Sequence, residues 1–367
     1  MKPRVLFVGR GRLTLPLPGW LEKKWEELGN VFDLRVLNAG SGSGDPRFHL
    51  LPDAAPSFYA RLPFDTAREL RAFRPDAVVA ADPYVAAGVL AGRRMARSHA
   101  KVIVEVHGDP RTFTRLYGSP ARKALSPLAD VLSSRSLRRA DATRALSSFT
   151  SSLVEQARGV PATACFPTYS DLDAFALPPL VPVPEAPGVV FVGALEPYKN
   201  VRGLAAAWRE VAAARPDARL TIVGSGSQAA VVEDLVARLP GQVVHRPSLP
   251  PGEVASAIDE ARVLVLPSWP EGLGRVVLEA FARGRGVVAT NAGGIPDIVT
   301  DGRDGLLVPP GDSAALVGAL ERVLDDVTLA ARLGEAARQS YGSWHQTPGD
   351  FARAYGTLVE RVLAGAR

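Results

Sequence analysis

Two carboxylates lie eight positions apart in a segment that reads as a loop entering a helix, Pro267-Ser-Trp-Pro-Glu-Gly-Leu-Gly-Arg-Val-Val-Leu-Glu279. Gly272 and Gly274 let the backbone approach a ligand closely, and the start of a helix presents unpaired N–H groups to an anion. Glu279, about one turn into the helix, can accept hydrogen bonds from vicinal hydroxyl groups. The segment therefore predicts a site for a diphosphate beside a polyhydroxylated group. An ordinary helix start with an acidic first turn at Glu271 is the alternative.

His107 is a further candidate, because it directly follows the strand-like run Val104-Glu-Val106. The carboxyl ends of parallel strands are where open α/β sheets hold ligands. A neutral imidazole can donate or accept a hydrogen bond there without acting as a base. A histidine that only caps an element or fills the core is the alternative.

Short apolar runs alternate with amphipathic segments along the chain, which is typical of βα repeats and predicts doubly wound parallel sheets. The predicted strands of the first half are Arg4–Val8, Asp33–Leu37, Asp76–Ala81 and Lys101–Val106. Those of the second half are Val189–Val192, Arg219–Val223, Gln242–Val244, Arg262–Leu266, Gly286–Ala289 and Gly305–Val308. Between the halves, the prolines of residues 177–187 suit an extended linker and no helix. The domain boundary is predicted there.

Each half also carries a glycine-rich turn between a strand and a helix, Gly9-Arg10-Gly11 and Gly224-Ser-Gly226-Ser227. Tight βα turns need glycine for steric reasons, so one such turn is weak support for phosphate binding. Two of them favour two doubly wound domains. A dinucleotide oxidoreductase would also need an acidic residue after the second strand, where the chain has Leu37-Asn38-Ala39.

The 367 residues are 47% hydrophobic and 22% charged, which fits a soluble protein of two globular domains. No stretch approaches the roughly 18 apolar residues of a membrane span, and the N-terminus leads straight into a strand. We therefore expect a cytoplasmic protein without a signal peptide. The single cysteine, Cys165, excludes an internal disulfide and a cysteine-based zinc cluster, and it is expected to fill a gap in the core.

The net charge of +5 indicates an affinity for anions such as nucleotide diphosphates, anionic lipid surfaces or nucleic acid. No nucleic-acid recognition motif accompanies this charge. Much of the positive charge lies in residues 111–144, where the acidic residues are Asp130 and Asp141. The basic residues of this stretch are Arg111, Arg115, Arg122, Lys123, Arg135, Arg138, Arg139 and Arg144. This stretch predicts either a solvated basic face or peripheral docking on an inner membrane surface.

Three ordered motifs in the second half carry a resemblance: Pro267–Glu279, Asn291–Val299 and Asp301–Asp312. Together they resemble the nucleotide-sugar domain of the retaining glycosyltransferases with the GT-B fold, specifically family 4. The resemblance is close over residues 188–325 and looser elsewhere. It implies a fold of two Rossmann-like, doubly wound parallel-sheet domains that face each other across a cleft.

The same resemblance implies a domain arrangement. Residues 1–177 would form the acceptor-binding domain, completed by a C-terminal helix at about 345–367. A proline-rich linker would span residues 178–187, and residues 188–344 would bind the nucleotide-sugar donor.

Individual residues take roles from the resemblance. Lys199 would pair with the diphosphate, Glu271 would contact hydroxyl groups of the transferred sugar, and Glu279 would hold the nucleotide ribose. His107 would face the transferred sugar, so His107, Lys199 and Glu271 are the catalytic candidates. Further ligand contacts would come from Gly9, Gly11, Gly193, Gly224, Gly226, Gly272, Leu273, Gly274 and Arg275. The leaving diphosphate would take the acceptor proton, so that positioning and charge stabilisation supply most of the rate.

One position departs from the family pattern. The residue after Val192-Gly193 is usually arginine, a second diphosphate contact, and this chain has Ala194. Losing such a charge-assisted contact costs about 1.5 to 3 kcal/mol unless another group replaces it. Arg275 and Arg202 are the candidates, and Arg275 is expected to be better placed.

No metal or other cofactor is expected. Asp171-Leu172-Asp173 matches the Asp-x-Asp pattern that binds a metal in other glycosyltransferases. Its surroundings, however, resemble the turn that closes the first domain in the family. The histidines, at positions 49, 99, 107, 245 and 345, have no ligand spacing. A nucleotide-diphosphate sugar would be the co-substrate.

The expected function is thus retaining hexosyl transfer from a nucleotide-diphosphate sugar to a glycan, lipid-linked or small-molecule acceptor. A nucleotide-sugar-binding module with little turnover is the first alternative, and an NAD-dependent oxidoreductase is the second. Trp20, Leu21, Trp25 and Leu28 form an apolar stripe at helical spacing. It predicts core packing, with one exposed tryptophan at an acceptor site as the alternative.

Overall fold

The computed structural model describes residues 2–52, 55–111, 126–176 and 179–365. Contacts divide the chain into two compact units. The first unit comprises residues 1–169 and 346–367, and the second comprises residues 170–345. The chain therefore first passes from one unit to the other between Tyr169 and Ser170, before the boundary that the proline-rich segment suggests.

The first unit is a parallel sheet of seven strands covered by helices. Its strands are β1 (Arg4–Thr14), β2 (Asp33–Ser41), β3 (Phe48–Leu51), β4 (Ala77–Ala80), β5 (Lys101–Val106), β6 (Ala142–Ala145) and β7 (Ala164–Cys165), in the order β3-β2-β1-β4-β5-β6-β7. Its described helices are α1 (Gly19–Val31), α2 (Ala55–Phe73), α3 (Pro83–Ala96), α4 (Ser126–Arg139), α5 (Ser148–Arg158) and, from the C-terminal segment, α14 (Pro348–Leu363).

Two apolar layers sandwich this sheet. Helices α2 to α5 supply one layer, and α1 and α14 supply the other. In the second layer, Phe351 and Tyr355 of α14 pack edge-to-face with each other and with Phe166. The C-terminal helix is therefore part of the core of the first unit.

The second unit is a six-stranded parallel sheet in the order β10-β9-β8-β11-β12-β13. Its strands are β8 (Gly188–Val192), β9 (Arg219–Val223), β10 (Val243–Arg246), β11 (Val263–Leu266), β12 (Gly286–Thr290) and β13 (Gly305–Val308). Its helices are α6 (Asp173–Ala176), α7 (Val201–Ala214), α8 (Ala229–Arg238), α9 (Pro251–Asp259), α10 (Arg275–Ala282), α11 (Ile295–Ile298), α12 (Ser313–Asp325) and α13 (Val327–Trp344), with a 3₁₀ turn at Pro197–Lys199.

Apolar clusters also cover both faces of this second sheet. Trp208 of α7 is fully buried on one side, and Phe281 of α10 is fully buried on the other. Because all the strands are parallel, their carboxyl ends share one edge, and the loops that follow β8, β9, β11 and β12 lie there together. The α/β fold with two doubly wound parallel sheets is confirmed.

All ten predicted strands are present, with three additions and one correction. The sequence analysis missed β3, β6 and β7. The segment Gly9-Arg10-Gly11 is not a turn, because β1 continues through it to Thr14, with its pairing to β2 interrupted between Gly9 and Leu13. The glycines therefore belong to an irregular strand.

The proline-rich segment is fastened to the second unit by buried arginines. Arg285 donates to the carbonyl groups of Val181 and Pro182 at 2.9 and 3.1 Å, and Arg283 donates to that of Pro179 at 3.0 Å. Proline lacks an N–H group, so such a segment cannot pair as a ladder and its carbonyl groups need side-chain donors. Its described residues are thus extended but anchored.

Two expectations about single residues, for Cys165 and Arg144, change with the structure, and the expectation of core packing for the stripe of α1 holds except at Trp20. Cys165 is exposed and does not fill the core, since it lies in the two-residue edge strand β7. Trp25 is buried in the apolar stripe of α1, whereas Trp20 is 41% exposed. Arg144 is 1% exposed and cannot belong to a basic surface. Residues 112–125, with Arg115, Arg122 and Lys123, lie outside the described residues.

Candidate functional site

The loop between β11 and α10 has the geometry that the sequence analysis expected. Gly274 is the N-cap residue of α10 with φ of 86°, a left-handed conformation that glycine adopts without strain. No side chain caps this helix start. Gly293, with φ of 65°, packs so closely on the Glu271 backbone that any Cβ there would collide with it. The neighbouring Gly294 N–H donates to the Glu271 carbonyl at 2.8 Å. The loop that follows β12 therefore holds Glu271 of the β11–α10 loop in place.

Lys199 and Glu271 form an ion pair in this site. Lys199 Nζ lies 2.7 Å from Glu271 Oε1, and each side chain is only 10% exposed. The 3₁₀ turn holds the lysine, and the Trp269 N–H binds the Tyr198 carbonyl of that turn at 2.7 Å. A Cβ on Gly193 would lie 3.4 Å from Lys199 Cε. The structure thus brings Gly193, Lys199 and Glu271 together, as predicted.

Arg275 and Glu279 form a second pair, one turn apart on α10. Arg275 Nε donates to Glu279 Oε1 at 3.0 Å. The arginine side chain is 56% exposed, and the glutamate side chain is 8% exposed. Burial raises the pKa of Glu279, while Arg275 and, more weakly, Lys199 oppose that shift. Because Lys199 acts on Glu279, all four charged residues belong to one electrostatic cluster.

Tyr198 is a member of the site that the sequence analysis missed. Its ring centroid lies 5.2 Å from Lys199 Nζ. Burial, with the nearby carboxylates of Glu271 and Glu196, raises its pKa to about 12. The phenol therefore stays protonated at neutral pH and keeps a hydrogen to donate. Its position directly before Lys199 was the only signal in the sequence.

The glycine-rich turn after β9 packs against the loop after β8. The Leu195 N–H donates to the Ser225 carbonyl at 2.9 Å. Glu196 accepts from the Ser227 N–H at 3.0 Å and from its hydroxyl at 2.6 Å. Gly224 and Gly226 lie within this turn. They therefore lie at the same edge of the sheet as Gly193.

The position of the missing family arginine is exposed. Ala194 has an accessible side chain, and so does Arg202 in the first turn of α7. Arg275 is already bound to Glu279 through Nε. It can serve a diphosphate only through its remaining N–H groups or by leaving that carboxylate.

We expect Arg275→Ala to weaken donor binding by tenfold or more, because one charge-assisted contact is worth about 1.5 to 3 kcal/mol. Ala194→Arg in the same chain should restore part of that affinity, since both guanidinium groups would serve the same oxygens. Calorimetric titration with a nucleotide sugar measures both effects, and Arg202→Ala, at the other candidate cation, should have little effect. A harmless Arg275→Ala, or a many-fold gain from Ala194→Arg alone, would show that Arg275 does not compensate.

His107 lies directly after β5 in the first unit, at the predicted strand end. Its Nε2 is 3.2 Å from Glu105 Oε2. Glu105 also binds Arg144 and the Tyr355 hydroxyl. Burial alone would raise the pKa of Glu105, but Arg144, His107 and Tyr355 together hold it far below its usual value. His107 is thus positioned by a buried ionic cluster that the sequence analysis did not find.

A cavity of about 200 Å³ lies beside this cluster, within the first unit. Gly9, Gly11 and His107 all line it. Three of the residues singled out in the sequence therefore meet in the first unit, and the other site residues meet in the second.

Among the residues that the structure describes, no three His, Cys, Asp or Glu side chains are grouped as a metal would need. The Asp173 N–H donates to Asp171 Oδ1 at 3.0 Å, which is turn geometry. Within the same residues no helix is long and apolar enough to cross a membrane.

Known families match most of the chain. Residues 186–326 match the model described as glycosyl transferases group 1, and residues 18–168 match the glycosyl transferase 4-like domain. A D-inositol 3-phosphate glycosyltransferase of Paenarthrobacter aurescens is 35% identical over 195 residues, 50% of this chain and 47% of that protein. The sulfoquinovosyl transferase SQD2 of Arabidopsis thaliana is 36% identical over 159 residues, 42% of this chain and 30% of that protein. The matches thus span less than half the length of these relatives.

Solved structures show the same fold. Sucrose-phosphate synthase from Thermosynechococcus elongatus superposes with a TM-score of 0.77 at 19% identity, over 99% of this chain and 100% of that one. Anabaena HepE, solved in complex with UDP-glucose, gives a TM-score of 0.72 at 18% identity, over 98% and 100% of the two chains. The two family matches, the twin parallel sheets and these neighbours show that the chain belongs to the group 1 glycosyl transferases, family 4, with the GT-B fold.

Proposed function

We propose that the protein transfers a hexose from a nucleotide-diphosphate sugar to an acceptor, with retention at the anomeric carbon. The observation that carries this proposal is the cluster of Lys199, Glu271, Arg275 and Glu279 around an uncapped helix start. It offers cations and free N–H groups to a diphosphate, and carboxylates to hydroxyl groups. The HepE complexes with UDP and UDP-glucose support a nucleotide sugar as the donor.

In the proposed reaction, the bond between the anomeric carbon and the diphosphate oxygen breaks while the acceptor oxygen bonds to that carbon. The acceptor proton passes to the leaving diphosphate. Lys199 stabilises the charge that develops on the diphosphate, as a compact cation in a site with little water. Binding of the donor would draw Lys199 from Glu271, and the freed carboxylate would accept hydrogen bonds from the sugar. No pair of catalytic carboxylates is needed in this scheme.

Glu279 would hold the ribose hydroxyl groups in its ionised form. Burial raises the pKa of Glu279 although Arg275 and Lys199 oppose that shift. Protonation of this carboxylate would remove an acceptor that the ribose needs, so donor affinity should fall as the pH is lowered.

A thermal-shift screen with UDP-, GDP-, ADP- and TDP-sugars tests the proposed donor site. A ligand at 100 times its Kd adds about 2.7 kcal/mol of apparent stability. At least one nucleotide sugar should raise the melting temperature, and Glu279→Gln should reduce that shift. Transfer assays with the selected donor should proceed in EDTA, because the proposed mechanism requires no metal. No shift with any of the four would overturn the proposed donor site.

We expect His107→Ala to lower turnover while the affinity for the free nucleoside diphosphate is unchanged. The residue is held in the first unit, whereas the diphosphate cluster lies in the second. His49→Ala is a matched control, because His49 also pairs with a buried glutamate, Glu69, at 2.7 Å. A parallel loss of nucleotide affinity in His107→Ala would show that the histidine is structural.

Ala194 favours the second candidate, a module that binds nucleotide sugars with little turnover. Donor binding without transfer or hydrolysis would support that reading.

A glycan, lipid-linked or small-molecule acceptor is proposed on the resemblance alone. Peripheral membrane docking would use the exposed arginines of α4, which are Arg135, Arg138 and Arg139. Arg111, the other described arginine of this stretch apart from the buried Arg144, pairs with Asp109 at 2.9 Å.

A further inference from the structure

The cavity of the first unit lies under α1 and α14, at the carboxyl ends of the central strands. Its volume of about 200 Å³ is smaller than the roughly 300 to 1,000 Å³ of sites for drug-sized ligands. It therefore has room for several waters or for one compact organic group. Size alone thus restricts an occupant to a small molecule or a head group.

Lys24 of α1 is a partly exposed cation that lines this cavity. Among the described residues, its ammonium group makes no hydrogen bond and no ion pair. The nitrogen lies 4.9 Å from the ring centroid of Trp25 and 5.5 Å from that of Phe351. Burial lowers the pKa of Lys24 to about 8. Desolvation disfavours the charged form of a lysine, so an anion bound beside Lys24 would stabilise its ammonium group.

The other charges at the cavity are matched among themselves. Glu105 accepts from Arg144 and from Tyr355, and it contacts His107. Arg144 also donates to the Phe166 carbonyl at 3.0 Å and to the Thr168 hydroxyl at 3.2 Å. The Glu105 carboxylate is therefore paired directly with the Arg144 guanidinium, and the ammonium group of Lys24 has no carboxylate of its own among these contacts. Glu105 attracts Lys24 and Arg144 repels it, both without direct contact.

We infer that this cavity binds a compact oxyanion, the phosphate or carboxylate group of a small molecule, through the ammonium group of Lys24. The rings of Trp25 and Phe351 would flank the apolar or sugar-ring part of the same ligand, since aromatic faces pack against such surfaces. The ligand is either the acceptor of the transfer or a regulator that is not itself glycosylated. The chemistry that recognises the oxyanion is the same for both.

Binding of glucose 6-phosphate, inorganic phosphate, benzoate and glucose to the full chain, measured by calorimetry, tests this inference. Glucose 6-phosphate should bind more tightly than glucose, which carries no oxyanion. Lys24→Met should weaken glucose 6-phosphate binding at least tenfold, and Lys24→Arg should weaken it less. Lys23→Met, at the exposed neighbouring position, should bind as the unchanged protein does.

Phosphate could also enter the diphosphate cluster of the second unit, so Lys199→Met is included. Binding that falls in Lys199→Met but not in Lys24→Met would overturn the inference without touching the proposed donor site. Equal binding by Lys24→Met and the unchanged protein, or no binding of any oxyanion probe, would overturn it as well. A glycosylated product from glucose 6-phosphate would identify an acceptor, and binding without product would identify a regulator.

The melting temperature of the free variants separates misfolding from loss of the site. Lys24→Met should melt no lower than the unchanged protein at pH 7, because the methionine side chain keeps the packing against Trp25 and Phe351. A variant that melts no lower and binds less cannot owe its loss of binding to unfolding. A lower melting temperature for Lys24→Met would show that the lysine is structural and would overturn the inference.

Discussion

Arg144→Met should lower the free energy of unfolding by about 3 to 5 kcal/mol, the cost of removing one partner from a buried ion pair. The guanidinium is 1% exposed and joins β6 to Glu105 on β5 and to Tyr355 on α14. It also lies over the Phe166 ring, 4.3 Å from its centroid. Its loss leaves the Glu105 carboxylate in the core with only His107 and Tyr355 as partners. Urea unfolding of the free protein measures the effect.

The pH dependence of this loss has a definite sign. The folded state holds the pKa of Glu105 far below the usual value of 4.5, so the cluster contributes stability above about pH 4.5 that is lost as the pH falls further. Arg144→Met removes that depression. The difference between the two proteins should therefore be largest near pH 7 and should shrink below about pH 4.5.

Two further variants separate the cluster from general effects of losing an arginine. Arg139→Met, on the exposed face of α4, should change stability by less than about 0.5 kcal/mol. Glu105→Gln combined with Arg144→Met should recover part of the loss, because no buried charge is then left unpaired. If Arg144→Met were as mild as Arg139→Met, the ion pair would not be holding the first unit together.

The same cluster shows where sequence reasoning stopped. The strands β4, β8 and β11 were predicted because they are continuous apolar runs, as buried parallel strands are. The strand β6, Ala142-Thr-Arg-Ala145, was missed because an arginine in so short a run reads as surface. Arg144 can be buried only because Glu105 and Tyr355 meet it, and Tyr355 lies 211 positions further along the chain. Periodicity carries no information about such a distant partner.

The candidate site divides in the same way. Glu271, Glu279 and Lys199 could be chosen from local motifs, and the structure groups them. The pairing of Lys199 with Glu271 could not be chosen in this way, because it depends on how the loops after β8 and β11 approach each other. The pair of Arg275 with Glu279 has i,i+4 spacing on α10 and is therefore local. Lys24 was hidden for a related reason: its helical stripe predicted a core, but the neighbours of a polar residue inside that stripe are set by α14.

Lys199→Met should lower turnover by about 100- to 1,000-fold, the usual cost of removing one group that stabilises charge in the transition state. Because the charge on the diphosphate grows during the reaction, kcat and kcat/KM should fall together. The same change leaves Glu271 buried without its cation. A loss of activity alone would therefore not show whether Lys199 contacts the diphosphate or only holds Glu271 in position.

Affinity for the free nucleoside diphosphate makes that distinction, since this ligand has no sugar for Glu271 to hold. Lys199→Met should weaken its binding at least tenfold, because a charge-assisted contact is worth about 1.5 to 3 kcal/mol. Glu271→Gln should leave binding unchanged or tighten it, because it releases Lys199 from its 2.7 Å pair. Both variants should nevertheless lose transfer activity. If Glu271→Gln weakened nucleotide binding as much as Lys199→Met does, the ion pair would be acting as one structural unit, and Lys199 would not be the cation that meets the diphosphate.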